Sequence, residues 1–307
     1  MTMKILLCDP VAETVLEHFR SLDDCTVEEV FDRDALEQEI DDANFLVVRS
    51  GTTVDPDLLD QADELIGIVR AGVGLDNIDL EYADEQDVNV ENTPEASTNA
   101  VAELVIGHIL SVFRSIPQAD AALKEGNWIK SDLNGREIQG KTTGIIGYGR
   151  IGRRVGQLVQ AFGSDVVAFD EYIDDETIRE HGAQPVSLKE LLEQSDIVSV
   201  HVPLTDETRH LIGPSELKTL TDDAVLVNCS RGGIYDEEAL LEALRNDEIV
   251  GVGLDTYEEE PPGDQPLLQE KSMVGTPHIG ASTPEAQERI GQLVIDKIET
   301  MMRESDT

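Results

Sequence analysis

Cysteine, tryptophan, basic residues and long apolar runs are all scarce in this chain, and each scarcity excludes something. Three cysteines, Cys8, Cys25 and Cys229, stand far apart, odd in number and without CxxC or Cys/His clustering. That pattern argues against a disulfide framework and a zinc site, and it reads as small thiols in a reducing cytoplasm. No run approaches the roughly 18 apolar residues that a membrane span needs. Residues 1–7 lead straight into a strand-like segment with no basic start or cleavage site, so an export signal is not expected. Lysine and arginine together number 23 against 64 acidic residues, and lysine is the scarcer of the two. A surface that acidic repels nucleic acid and anionic membranes, so neither is an expected partner. Low-complexity tracts and short tandem repeats are absent as well.

Enough material is present for real cores. The chain has 307 residues, 40% of them hydrophobic, which suits about two domains and not a disordered polymer. The net charge of −41 is dispersed in short clusters, such as Asp222-Asp223 and Glu258-Glu259-Glu260, and forms no acidic tail. Self-repulsion of this size is costly in dilute salt and largely screened at about 1 M, where the Debye length is about 3 Å. The composition therefore fits a halophilic protein working in a salt-loaded cytoplasm.

Short apolar runs alternate with amphipathic stretches, the signature of βαβ units and parallel sheets. Strands are expected at 5–8, 45–48, 66–70, 143–147, 166–170, 197–200, 224–228 and 250–254. Helices are expected at 11–20, 150–162, 188–194 and 237–245, with Gly, Pro and Asp at the joints. Two segments read as interdomain joints. One is Asn92-Thr-Pro-Glu-Ala-Ser-Thr, which feeds a long apolar helix, about 99–115, through Ser97 or Thr98 as N-cap. The other is Ala281-Ser-Thr-Pro-Glu-Ala, where Pro284 opens a helix to about Met302 that returns to the N-terminal strands. The expected fold is α/β, with two doubly wound parallel-sheet domains, Rossmann-like and flavodoxin-like. A substrate domain of residues 1–98 plus 285–307 would carry a dinucleotide-binding domain, 99–284, inserted within it. Clefts between such domains are common ligand sites.

The segment Thr143-Gly-Ile-Ile-Gly-Tyr-Gly-Arg-Ile-Gly places Gly147, Gly149 and Gly152 after a strand and at the mouth of a helix. Gly147 permits a tight turn, Gly149 lets backbone approach a pyrophosphate, and Gly152 lets the helix pack on the strand. Arg150 and Ile151, between the last two glycines, belong to the same phosphate-facing turn. The next expected strand ends at Asp170, about 20 residues on, where ribose recognition needs an acid. Its charge favours NAD over a 2′-phosphorylated cofactor, although high salt weakens that rejection and leaves NADP open.

Three further residues sit where strands of the same domain should end: Arg231 in Asn-Cys-Ser-Arg-Gly-Gly, Glu260 in Tyr-Glu-Glu-Glu-Pro-Pro, and His278 in Thr-Pro-His-Ile-Gly. Open α/β sheets bind ligands beyond the carboxyl ends of their strands. Reduction of a 2-keto acid requires a cation for the carboxylate and carbonyl, a proton donor for the forming alkoxide, and an orienter for that donor. A guanidinium fork suits the first role, an imidazole the second, and a carboxylate beside it the third.

Taken together, these motifs resemble the D-isomer-specific 2-hydroxyacid dehydrogenases. The similarity runs from Phe45 to about Glu285, through Val48-Arg-Ser-Gly, Arg70-Ala-Gly-Val-Gly-Leu-Asp-Asn, Asn92-Thr-Pro, the glycine fingerprint, His201-Val-Pro-Leu, Asn228-Cys-Ser-Arg-Gly-Gly and Thr276-Pro-His-Ile-Gly-Ala-Ser-Thr. The resemblance implies catalytic roles for Arg231, Glu260 and His278. It places Cys229 and Asp255 near a nicotinamide and Val202 along the cofactor cleft. It also implies that amides around Ser50, Gly51, Val73 and Gly74 hold the substrate carboxylate, with Asn77 supporting them. A homodimer is implied too, built on the long helix, with Trp128 reaching the partner's cleft. Many phosphoglycerate dehydrogenases of this family continue into regulatory domains, and this chain stops at Thr307, so serine feedback through one is not expected. The substituent on C3 of the substrate stays open. Arg49 and Arg70 could meet a phosphate, with Lys130 or Arg136 entering from a partner, or they could brace loops. A nucleotide-sensing regulator is the alternative of another class, and retention of all three catalytic positions speaks against it.

Overall fold

A computed structural model describes residues 2–305. The chain divides into two compact units, one of 1–97 and 281–307, the other of 98–280.

Unit 1 opens with β1 (Met3–Leu7), α1 (Glu13–Arg20), β2 (Cys25–Glu29), α2 (Arg33–Glu39) and β3 (Phe45–Val48). It continues with α3 (Pro56–Leu59), β4 (Gly67–Arg70), α4 (Leu80–Glu85) and β5 (Asn89–Asn92). The strands pair in parallel in the order β2-β1-β3-β4-β5, the doubly wound order of flavodoxin-like sheets. Alternation along the strands builds a core on each face. Ile5, Leu7, Phe45 and Val47 belong to one, and Leu6, Cys8, Leu46 and Val48 to the other.

Unit 2 begins with α5 (Thr98–Arg114) and α6 (Ile116–Lys124), then β6 (Thr142–Ile146), α7 (Arg150–Ala161), β7 (Asp165–Phe169), α8 (Asp175–Glu180) and β8 (Gln184–Pro185). There follow α9 (Leu188–Gln194), β9 (Ile197–Val200), α10 (Pro214–Leu217), β10 (Val225–Asn228), α11 (Glu237–Arg245), β11 (Gly251–Leu254) and β12 (Met273–Gly275). The sheet order is β12-β11-β10-β9-β6-β7-β8, all parallel. Strand order reverses between β6 and β9, and the crevice beyond their carboxyl ends is where such sheets bind ligands. Strands β9, β10 and β11 are buried at every position, as expected of strands covered on both faces. The last helix, α12 (Pro284–Ser305), rejoins unit 1, where Ile290, Val294, Ile298 and Met301 lie on one face and enter its core.

The eight strands expected from sequence are the eight interior strands of the two sheets, each within one or two residues at its ends. The four not anticipated are the four edge strands, β2, β5, β8 and β12. An edge strand is covered less and needs no apolar run, and Cys-Thr-Val-Glu-Glu and Asn-Val-Glu-Asn show none. The short helices α2, α3, α4, α6, α8 and α10 were likewise not anticipated. Each offers under three turns of periodicity, although Asp32, Asp55, Asp79 and Asp174 cap four of them through side-chain hydrogen bonds.

Candidate active site

The glycine turn follows directly from the end of β6. Gly147 has φ +86°, a left-handed value that favours glycine, and a Cβ there would meet the His201 carbonyl oxygen at 2.7 Å. Gly152, in the first turn of α7, packs so closely that a Cβ would stand 2.2 Å from the Gly147 oxygen. Gly149 differs from both. It caps α7, and apart from its chain neighbours no atom of the described residues lies within 4 Å of the place its Cβ would take, leaving open space above the helix N-terminus. Arg150 is exposed and Ile151 half-buried at the start of α7. Such a terminus offers unpaired N–H groups to an anion.

Asp170 stands after β7 and does more than its expected ribose role requires. Its Oδ2 accepts the Tyr148 amide at 2.7 Å, and its Oδ1 accepts the amides of Tyr172 and Ile173 at 2.9 and 3.0 Å. The acid therefore ties the glycine turn to the loop after β7. Asp170 lines a cavity of about 490 Å³ together with Gly147, Gly149, His201 and Val202. The 203–211 segment adds Pro203, Thr205 and Leu211 to the lining. The family resemblance placed Val202 along the cleft, and nothing in the spacing of the 203–211 segment marked the rest. The residues present fit a dinucleotide: an open helix N-terminus for phosphate, an acid for ribose and a mixed apolar wall for a base. His201 donates or accepts at Nε2 with Ser199 Oγ at 2.9 Å, and burial pushes its pKa down to about 3, so the ring is neutral.

The catalytic candidates stand on the loops after three neighbouring strands, β10, β11 and β12. Asn228 shapes the first loop: its Nδ2 donates to the Arg231 carbonyl at 2.7 Å, while its Oδ1 accepts the Ser230 amide and hydroxyl. Arg231 is half-buried and donates through Nη1 to the Ser230 carbonyl. In the next loop, Glu260 accepts the Tyr257 amide at 3.1 Å through Oε1. Its Oε2 lies 2.7 Å from Nδ1 of His278, on the third loop. Burial alone would raise the Glu260 carboxyl. The hydrogen bond and charge of His278, the Tyr257 amide and the Arg231 charge outweigh it and hold the group below the usual carboxylate value. His278 has φ +51°, a left-handed conformation uncommon for any residue but glycine.

Cys229 and Asp255 are buried at the ends of β10 and β11. Burial first, then the Asp255 charge, pushes the Cys229 thiol well above its ordinary value, so it is an unreactive thiol. Both Asp255 oxygens are engaged by the loop of His278, taking Thr276 Oγ1, the Ile279 amide and the Gly280 amide.

Within unit 1, the turn of Ser50 and Gly51 is held from two sides. Asp9 Oδ2 accepts the flanking amides of Arg49 and Thr52 at 2.6 and 3.1 Å. Asn77 Nδ2 donates to the carbonyls of the same two residues at 2.7 and 2.5 Å. Asn77 thus supports the 49–52 turn, while Asn92 holds the Val73 carbonyl beside Gly74. Sequence reasoning missed Asp9, which stands alone among apolar residues at the end of β1. Arg49 donates to the Pro10 carbonyl, and the Arg70 guanidinium lies over Gly72, where a Cβ would be 1.6 Å from Nη1. Arg136 pairs with Asp223 of its own unit at 2.7 Å.

Comparison with known proteins agrees with this architecture. The family model of the D-isomer specific 2-hydroxyacid dehydrogenase, NAD binding domain, matches residues 106–280. Over 302 residues the chain is 44% identical to a D-3-phosphoglycerate dehydrogenase of Methanocaldococcus jannaschii, covering 98% of this chain but only 58% of that protein. It is 43% identical to a hydroxypyruvate reductase of Thermotoga maritima, covering 88% of each. The crystal structure of D-lactate dehydrogenase from Aquifex aeolicus, complexed with NAD and lactic acid, superposes with a TM-score of 0.87 at 28% identity, covering 98% and 95% of the two chains. The chain belongs to the D-isomer-specific 2-hydroxyacid dehydrogenase family and contains its NAD-binding domain.

Proposed function

We propose that the chain interconverts 2-keto acids and D-2-hydroxy acids with NAD, and that Arg231, Glu260 and His278 are its catalytic residues. The observation that carries this reading is the 2.7 Å contact between His278 Nδ1 and Glu260 Oε2, on a loop beside that of Arg231. The nicotinamide cofactor supplies the hydride. Arg231 binds the substrate carboxylate and polarises its carbonyl, since a guanidinium pairs with a carboxylate in bidentate fashion. His278 gives the proton to the forming alkoxide from Nε2, the nitrogen that Glu260 does not occupy. Glu260 holds Nδ1 and so fixes which nitrogen faces the substrate. The glycine turn holds the pyrophosphate, Asp170 the adenosine ribose, and Val202, Cys229 and Asp255 border the rest of the cofactor site. The amides of Ser50, Gly51, Val73 and Gly74 bind the substrate carboxylate, with Asn77 bracing the first turn.

The relative from Methanocaldococcus jannaschii supports a second reading, in which the substrate carries a 3-phosphate. Rates of NADH oxidation in molar potassium chloride with pyruvate, hydroxypyruvate, 2-ketobutyrate, 2-ketoisocaproate and phosphohydroxypyruvate separate the two. Preference for the phosphorylated acid gives Arg49 and Arg70 a phosphate to bind. Broad turnover of the others makes the chain a general dehydrogenase, and NADH binding with no turnover overturns the enzyme reading. The protein acts as a homodimer in a saline cytoplasm. Three unpaired, buried cysteines suit a reducing compartment, and Ile116, Leu123 and Trp128, exposed on and after α6, supply an apolar face for a second copy.

A further inference from the structure

One polar side chain interrupts the apolar face of α5. His108, 2% exposed, sits one helical turn from Val105 and Val112 in a helix whose other buried residues are apolar. Its Nε2 lies 3.0 Å from Thr276 Oγ1, and that same oxygen lies 2.5 Å from Asp255 Oδ1. A hydroxyl has one proton to give, and a carboxylate can only accept. Thr276 therefore donates to Asp255 and must accept from His108, which sets the imidazole as the Nε2–H tautomer. Its Nδ1 is buried without a hydrogen-bond partner among the described residues, facing Gly253, where a Cβ would stand 3.1 Å away. Burial lowers the pKa of His108 against the pull of the Asp255 charge, in keeping with the neutral ring that the hydrogen bonds require.

A leucine at this place would fill the apolar face without leaving a nitrogen unsatisfied. What the histidine adds is found two links away. Asp255 Oδ1 also accepts the Ile279 amide, its Oδ2 accepts the Gly280 amide, both at 2.8 Å, and its carbonyl accepts the His278 amide at 2.8 Å. These bonds bracket His278 and hold its left-handed backbone, a conformation that persists only where the surroundings impose it. From the alignment of these contacts we infer that His108 is a positioning residue for the loop of His278, acting through Thr276 and Asp255. Helix α5 thereby anchors a side chain that shapes the loop. This inference rests on the reading of His278 as the proton donor.

The test compares His108→Leu, which keeps the bulk and removes the donor, with His108→Gln, whose amide nitrogen reaches the place of Nε2. Turnover is measured with NADH and whichever of hydroxypyruvate or phosphohydroxypyruvate is the better substrate. Amide hydrogen exchange is followed at Ile279 and Gly280. In His108→Leu, exchange at these amides should quicken about tenfold while that of β10 stays unchanged. Turnover number should fall about tenfold, with KM for the keto acid and Kd for NADH within about twofold of the parent. His108→Gln should restore most of each loss. Unchanged exchange in His108→Leu overturns the proposal. So does an equal loss in both variants together with NADH affinity and melting temperature, the signature of a packing residue. Quickened exchange with untouched turnover also overturns it if His278→Ala is inactive. If His278→Ala keeps the parent's rate instead, the brace stands and the proton-donor reading falls.

Discussion

Gly232 lies against the backbone of Tyr257: a Cβ on Gly232 would stand 1.8 Å from the Tyr257 carbonyl oxygen and 2.6 Å from the Glu258 nitrogen. The loop that carries Arg231 is thereby pressed onto the loop that carries Glu260. Both obstructing groups are backbone and cannot swing away. Gly232→Ala should separate the two loops, cost about 1–3 kcal/mol of stability, and lower kcat/KM on the order of a hundredfold. Thermal melting and steady-state kinetics check this together, and an active, stable Gly232→Ala protein would show that the contact between the loops is dispensable.

The pairing of Glu260 with His278 predicts how turnover responds to loss of the carboxylate. The hydrogen bond and charge of His278 outweigh burial and hold the Glu260 carboxyl below its usual value, so the carboxylate persists as pH falls into the ordinary carboxylate range. In Glu260→Gln turnover should fall about tenfold or more, because the ring loses the carboxylate that holds its Nδ1. Parent-like turnover in Glu260→Gln would sink the orienting role proposed for Glu260. His278→Ala should abolish turnover and leave NADH binding nearly intact, a result that fluorescence titration checks.

Half-buried His201 predicts an acid weakness. Its pKa falls from 6.5 in the unfolded chain to about 3 in the folded protein, so the unfolded state binds the extra proton between those values. The neutral ring's contribution is fully present above pH 6.5 and is lost as pH falls toward about 3, a matter of a few kcal/mol at most. His201→Gln keeps a polar partner for Ser199 and does not titrate. Its melting temperature should decline less steeply than the parent's between pH 6.5 and about 4. Parallel curves would show that the ring is hydrated in solution.

The ribose role proposed for Asp170 would join cofactor choice to the shape of the glycine turn, which its bond to the Tyr148 amide holds. In Asp170→Asn the charge that repels a 2′-phosphate is gone, and the one remaining oxygen cannot accept the Tyr148 amide together with those of Tyr172 and Ile173. Preference for NADH over NADPH should relax about tenfold in dilute buffer, and absolute NADH affinity should fall as well. The gap should narrow in molar potassium chloride, where screening already blunts the charge. Competition titrations at the two salt concentrations check both statements.

The charge of −41 leads to the last expectation. The melting temperature should rise by about 10 °C or more between dilute buffer and molar potassium chloride as repulsion among 64 acidic residues is screened. A flat response would mean that the acidity serves some purpose other than salt tolerance.

Periodicity and local chemistry made much of this protein readable in advance. Interior strands of parallel sheets are covered on both faces, so Phe45–Val48 is apolar throughout, Ile197–Val200 is apolar but for Ser199, and both announce themselves. The glycine turn is legible for a similar reason, since backbone contacts as close as those of Gly147 and Gly152 admit no side chain. Arg231, Glu260 and His278 were legible as residue types at strand ends, because the chemistry they suit allows few substitutes.

Tertiary structure decided what depends on distance across the chain. The edge strands β2, β5, β8 and β12 exist because a neighbour offers them hydrogen bonds, and their own residues bury too little to signal it. Asp9 reads as a stray acid until the 49–52 turn folds onto it, 40 residues away. His108 reads as an odd member of an apolar helix until Thr276, 168 residues on, meets its Nε2. Hydrogen bonds have no periodicity in sequence, so the residues that aim a site can be found only once the fold has brought their partners within 3 Å.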